Sequence, residues 1–348
     1  MNDVYDKIYN VQVDNDQMND DTQDYNQENN ELSIKQLKQQ RDYQEDILRN
    51  KVRNAYNELV SSELDLENLN LQLDSINKKY SDMKLKNQIG LATSLDMDEF
   101  QLNVQKLKDR IQASEIALKT AQYSFKNLTG IDVTKYSLNQ DIKYDKFEID
   151  GSVDEYLDQI VEDFIESSFK QEIIDNDKEH LNDIRDDVKI TKDDKAPKKE
   201  DYYKTVTDSE SGVSSTVFDK DGYATALSDY TKKLQEYLQY LGNKLTNLSN
   251  QTTLNEEKKA FKEALRKYYV ALVQQENIIE IDIKNIELDN QKLKNTKLQY
   301  DLGLITKNKY DDKLIESLSL QSQLRKDIKT YNEYKDQIQK PWLTLTVQ

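Results

Sequence analysis

The sequence predicts an all-α protein: long antiparallel coiled-coil helical hairpins in two internal repeats, with room for one small β-hairpin. Three observations carry this. The chain of 348 residues holds only 7 Gly and 2 Pro, too few breakers for many loops and turns. Its hydrophobic content of 36% is below the globular norm of roughly 45–50%, yet it suffices for narrow seams in which two of every seven positions are apolar. Finally, QIGLATSLDM (88–97) and DLGLITKNKY (301–310) place the same Gly-Leu-x-Thr core inside two long helical tracts.

Taken in order, residues 1–31 form an acidic, amide-rich N-terminal segment. DNDQMNDDTQDYNQENNE (14–31) reads as loosely held, and VYDKIYNVQV (4–13) alternates like the tail of a strand. Residues 32–130 form the hairpin of the first repeat. Leu59, Leu66, Leu73 and Tyr80 recur every seven residues, with Leu69, Ile76 and Met83 between them, so the rod from Leu32 to Gln88 spans about 85 Å. A second rod follows Gly90, with Met97, Phe100, Val104, Leu107, Ile111, Leu118, Ala121, Phe125 and Leu128 on its seam. Gly130 is placed to cap it in the left-handed region. Residues 131–201 supply an acidic helix over 153–190 and the polar linker TKDDKAPKKED. In 202–223, β-branched and aromatic residues separated by turn chemistry read as a β-hairpin or loop. Its strands are too short and polar for a bilayer. Residues 224–348 form the hairpin of the second repeat, with a weak point at Gly242 and a stop near Asp301.

An offset of 213 residues aligns the two halves without a gap. Arg53 falls on Arg266, Tyr56 on Tyr269, Leu59 on Leu272, Val60 on Val273, Glu63 on Glu276, and Leu107 on Leu320. Gly90-Leu91 falls on Gly303-Leu304, and Thr93 on Thr306. Each Gly supplies the turn's unusual dihedrals, and each Thr can cap the outgoing helix. Asp96 and Asp98 complement the dipole in its first turn. The same offset puts the first-repeat counterpart of 202–223 at or before Met1, so the chain is expected to lack the first helix and most of the hairpin of repeat one.

Charge and composition exclude several functions. A net charge of −17 argues against nucleic acid as a partner, because phosphate binding needs basic surface. With no cysteine there is no disulfide, thiolate metal site or Cys nucleophile. No stretch approaches the ~20 apolar residues of a membrane helix, and no signal peptide is visible at the N-terminus. His180 is the only histidine; a stable metal site needs three or four placed ligands, so a solvated side chain is expected. The segment 217–228 has Asp219, Asp221 and Gly222 at EF-hand-like spacing, but Val217 and Ser228 stand where the first and last ligands belong. A turn is the better reading. The 22 tyrosines are expected to pack on the seams with their hydroxyls at the rim, and Trp342 to anchor the last helix. Neither a catalytic residue nor a cofactor is indicated, and the 66 acidic residues make any chosen pair uninformative.

The two inserts resemble the TolC family of outer-membrane efflux tunnels, whose repeats each carry a pattern close to R-Y-x-x-G-[LV]-x-S-x-x-D-V. KNQIGLATSLDM keeps Gly90, Leu91, Thr93, Asp96 and Met97; QYDLGLITKNKY keeps Tyr300, Gly303, Leu304, Thr306 and Tyr310. Lys309 stands where the pattern has Asp, and Phe100 and Lys313 occupy a position usually Ala. The resemblance implies a homotrimer closing an α-helical tunnel, non-enzymatic and passive, in the cell envelope. It places the tunnel tips at Ile89, Gly90, Leu91, Thr93, Asp96, Leu302, Gly303, Leu304 and Thr306, where the family meets a periplasmic adaptor protein. Membrane association is expected only if the missing N-terminal or barrel elements exist. The other reading is a coiled-coil structural or protein-interaction scaffold without transport; an enzyme ranks below both.

Overall fold

Seam periodicity and capping residues dictate where the helices run in the computed structural model, which describes residues 2–16, 24–207, 209, 212 and 214–344. The helices are α1 (Asn2–Asp16), α2 (Asp24–Gln88), α3 (Ser94–Thr129), α4 (Val153–Ser167), α5 (Lys170–Asp183), α6 (Arg185–Val188), α7 (Lys220–Asp301) and α8 (Lys307–Gln339). Strands β1 (Tyr203–Thr207) and β2 (Ser214–Phe218) pair antiparallel, with Tyr203 opposite Phe218 and Thr207 opposite Ser214. The fold is all-α with one small β-hairpin. The chain divides into two compact units, residues 42–160 with 262–348, and residues 1–41 with 161–261.

In the unit of residues 42–160 and 262–348, α2 and α3 pack antiparallel through two apolar clusters. Leu59, Phe125 and Val133 form one, and Leu69, Leu107 and Ile111 the other. Tyr80 and Phe100 extend the seam with ring centroids 6.1 Å apart. The opposite face of α2 meets α8 through polar pairs. Lys326 binds Asp65 at 2.8 Å, Ser75 donates to Asp312 at 2.8 Å, Lys78 binds Asp311 at 2.8 Å, and Asn308 donates to Asp82 at 3.0 Å. Partners climb along α2 as they descend along α8, so this pair is antiparallel too. Next, α8 meets α7: Gln275 donates to the Asp327 carboxylate at 2.7 Å, Lys313 pairs with Asp289, and Tyr300 stacks on Tyr310 at 5.4 Å. The lateral order is therefore α3, α2, α8, α7. Burial follows this order. Val60 on the inner α2 has no exposed surface, whereas its offset counterpart Val273 on the outer α7 is 38% exposed.

Residues 139–147 strap these helices together. Asn139 N–H donates to the Tyr56 hydroxyl at 2.8 Å, Phe147 N–H donates to the Tyr331 hydroxyl at 2.7 Å, and Lys146 binds Glu276 at 2.6 Å. Arg325 donates to the Gln140 carbonyl. Trp342 ends α8 as expected. Its ring stacks on Tyr43 at 4.6 Å, and its indole N–H donates to Asp46 at 3.1 Å.

In the unit of residues 1–41 and 161–261, α5 lies between the start of α2 and the start of α7. Tyr25 donates to Asp177 at 2.6 Å and Asn176 donates to Asn29 at 3.0 Å on one side. On the other, Asn247 donates to the Ile174 carbonyl at 2.7 Å and Lys170 binds Glu257 at 2.9 Å.

Four local expectations are corrected. Residues 4–13 are helical, because Val4 and Ile8, one helical turn apart, are both buried. Residues 24–31, read as loosely held, belong to α2, which starts at Asp24 with Tyr25 and Asn29 bonded to α5; residues 17–23 of that stretch lie outside the described residues. The helix expected over 153–190 breaks at Phe169, whose φ of 54° is left-handed; a non-Gly residue there costs about 1–2 kcal/mol. Gln36 holds the break by donating to the Ser168 carbonyl at 2.8 Å, and Lys35 lies 5.7 Å from the Phe169 ring centroid. Lastly, α7 runs unbroken through Gly242.

Candidate interaction site at the two helix reversals

Both reversals lie in the unit of residues 42–160 and 262–348, at the same end of it, because the Asn308–Asp82 bond joins the start of α8 to the end of α2. Gly90 has φ 77° and Gly303 has φ 73°. Each closes a Schellman motif: the N–H of the residue after the Gly reaches back five residues, and the Gly N–H reaches back three. Leu91 N–H donates to the Lys86 carbonyl and Leu304 N–H to the Gln299 carbonyl, both at 2.8 Å. Gly90 N–H donates to Asn87 at 3.0 Å and Gly303 N–H to Tyr300 at 2.9 Å. Every one of these bonds matches its counterpart at the 213-residue offset.

The outgoing helices are capped alike, with one difference. Thr93 accepts from Asp96 N–H at 3.2 Å, and Thr306 accepts from Lys309 N–H at 3.4 Å. Asp96 also returns the bond, accepting from Thr93 N–H at 2.7 Å, which completes a capping box. That backbone donor, then the Thr93 hydroxyl, holds the Asp96 carboxyl below its ordinary value. Lys309 cannot accept, so the second reversal has half the box. The first is braced further by Asn87, whose side chain donates to the Ala92 carbonyl at 2.9 Å, and the second by the stacked Tyr300 and Tyr310.

The tips are apolar and open to solvent. Ile89, Leu91, Leu302 and Leu304 are each 64–74% exposed, and Leu95 is 66% exposed. Leu95 was not read from the sequence, because its offset counterpart is Asn308 and the repeat gave it no support.

Outside the tips, two sequence candidates have structural partners. His180 stacks on Tyr25 with ring centroids 3.9 Å apart. Asp219 accepts from Gly222 N–H at 3.1 Å and pairs with Lys204; it caps α7, which begins at Lys220, so the residues expected to form a turn make the first turn of a helix. Among the described residues, no helix is long and apolar enough to cross a membrane.

No protein-family model matches the sequence, and no curated protein matches it. Among solved structures, the chain is similar to the outer-membrane channel OprN, with 11% identity and a TM-score of 0.49, covering 90% of this chain and 69% of that one. It is similar to CusC, described for its transmembrane channel formation, with 12% identity and a TM-score of 0.45, covering 97% and 90%. A membrane protein from Pseudomonas aeruginosa gives 14% identity and a TM-score of 0.47, covering 92% and 74%. No residue role passes from these to the present chain at such identities and scores.

Proposed function

We propose that the chain is the helical wall of a passive, non-enzymatic conduit of the TolC type, serving export in the cell envelope. The observation that supports this best is the pair of reversals. Two long hairpins turn with one hydrogen-bonding scheme, face the same end, and present leucines to solvent there. A helical pair needing only to fold has no use for such tips; a tip that docks a periplasmic-adaptor-like partner does.

Closure is by further copies of the chain. In the order α3, α2, α8, α7, the outer helices expose apolar side chains: Leu102, Ile116 and Tyr123 on α3, and Ile278, Ile281 and Leu288 on α7. An edge of α3 meeting a neighbour's α7 is a head-to-tail contact, which generates a ring when the rotation closes. Three copies would bring six hairpins together. The duplicated reversals suit such a wall, since both repeats of each copy then present equivalent tips. The experiment is the mass in solution by light scattering, with electron microscopy of the same sample. Three-subunit particles with a central hole meet the proposal, and an elongated monomer refutes it.

A second reading, a coiled-coil scaffold without transport, draws on the β-hairpin. Its strands of five residues each fall short of the ~9–11 that a membrane strand needs. A soluble monomer that still captures a partner through its tips would favour it.

A further inference from the structure

The offset that superposes the two reversals also shows where the two hairpins differ. The α2–α3 seam is apolar, with Leu69 and Ile76 facing α3. Their counterparts in α7 are Asp282 and Asp289, and Ser114 of α3 corresponds to Asp327 of α8. Asp289 is answered by Lys313, the counterpart of Phe100. Among the described residues, no cation pairs with Asp282. Its carboxyl lies within hydrogen-bonding reach of the Asp327 carboxyl, and its Oδ2 is sealed from solvent with no hydrogen-bond partner.

The charged groups around this pair are committed elsewhere. From α8, Arg325 turns toward the strap and α2, donating to the Gln140 carbonyl and to Asn57 at 3.3 Å, and Lys326 binds Asp65 of α2. On α7 itself, Glu276 and Glu280 are both held by Lys146 of the strap, at 2.6 and 3.3 Å. Asp327 accepts from Gln275 at 2.7 Å on Oδ1 and from Gln323 at 2.8 Å on Oδ2, so neutral donors already fix its orientation. Two carboxylates in contact inside a seam repel each other; with one proton between them, they bond.

We infer that Asp282 and Asp327 form a proton-controlled latch on the α7–α8 hairpin, closed when the pair shares a proton and loosened when both carboxylates are ionised. Burial first, then the hydrogen bond and the charge of Asp327, raises the proton affinity of Asp282. A carboxyl with a raised folded-state value stabilises fully below the ordinary carboxylate range. That stabilisation is lost as pH rises through the raised value. The α2–α3 hairpin, with Leu69 and Ser114 at these positions, has no such dependence and is an internal control. The latch stands on the seam alone and does not depend on the conduit.

The test is hydrogen–deuterium exchange of the full chain from about pH 4 to about pH 8, corrected for intrinsic exchange, for wild type, Asp282→Asn and Asp327→Asn. Local opening of 275–289 and 320–331 is expected to increase with pH in wild type. The increase is about tenfold for each unit by which the proton affinity of Asp282 exceeds that of a free carboxyl. Both variants should show a flat profile there, and the peptides of α2–α3 should be flat in all three proteins. An equal pH response in wild type and either variant overturns the inference. So does a seam that stays open at acid pH in both variants, because the carboxyls would then act in packing and not through their proton.

Discussion

Replacing Gly90 or Gly303 with Ala isolates the backbone of each reversal. A Cβ added at either position meets nothing within 4 Å, so no packing change accompanies the substitution. What remains is the cost of holding an L-residue at φ 77° or 73°, about 1–2 kcal/mol. The penalty falls on the Schellman turn, where Leu91 and Leu304 N–H donate to Lys86 and Gln299. Opening of these turns should therefore become about 5–30 times more frequent. Hydrogen exchange of peptides over 85–97 and 298–310 reads this locally, which matters because a chain of two units need not unfold in one step. The two substitutions should agree within about 0.5 kcal/mol, and the double variant should show both effects undiminished, since the two turns share no hydrogen-bond partner. Unequal penalties, or protection that rises in either variant, would show that the reversals are not the same device.

Other expectations follow from the same geometry. Thr93→Val and Thr306→Val should each cost about 1 kcal/mol by loss of the cap, read by exchange in the first turns of α3 and α8. The capping box at Asp96 has a depressed carboxyl, so its contribution is present above the ordinary value of 3.8 and is lost as pH falls through the lower one; Lys309 gives the second tip no such loss. Leu59→Ala, at a side chain with no exposed surface, should destabilise by about 2–5 kcal/mol in thermal melts followed by circular dichroism. Burial pushes the Tyr331 hydroxyl up to about 12 from 10.0. Its stabilisation is therefore complete below pH 10 and disappears as pH rises through 12, and ultraviolet titration should find a tyrosine ionising near 12 that Tyr331→Phe removes.

Much of this was legible in sequence because helices and their ends are local phenomena. The seven-residue spacing of Leu59, Leu66 and Leu73 fixed a face, and Gly-Leu-x-Thr fixed the reversals and their caps. Gly130, at φ 75°, caps α3 as its position after the seam implied. The polar seams were not legible. Pairs such as Lys326–Asp65 and Gln275–Asp327 join residues far apart in the chain, and neither partner stands out among so many charges. The break at Phe169 was missed because tertiary contacts from Gln36 and Lys35 hold it, with no Gly or Pro to announce it. Helix α1 was misread because a short apolar run fits either periodicity. The tips' exposed leucines were read through their motif, but Leu95 had none.

Disulfide trapping between copies tests the assembly most directly. The chain has no cysteine, so Ile116→Cys on α3 and Ile281→Cys on α7 can be introduced at exposed positions lying at comparable distances from the two reversals. A chain carrying both should oxidise to closed trimers, and a mixture of the two single variants should cross-link only unlike chains. Cross-linking of identical single variants, or none at all, would contradict a wall built by joining α3 of one copy to α7 of the next.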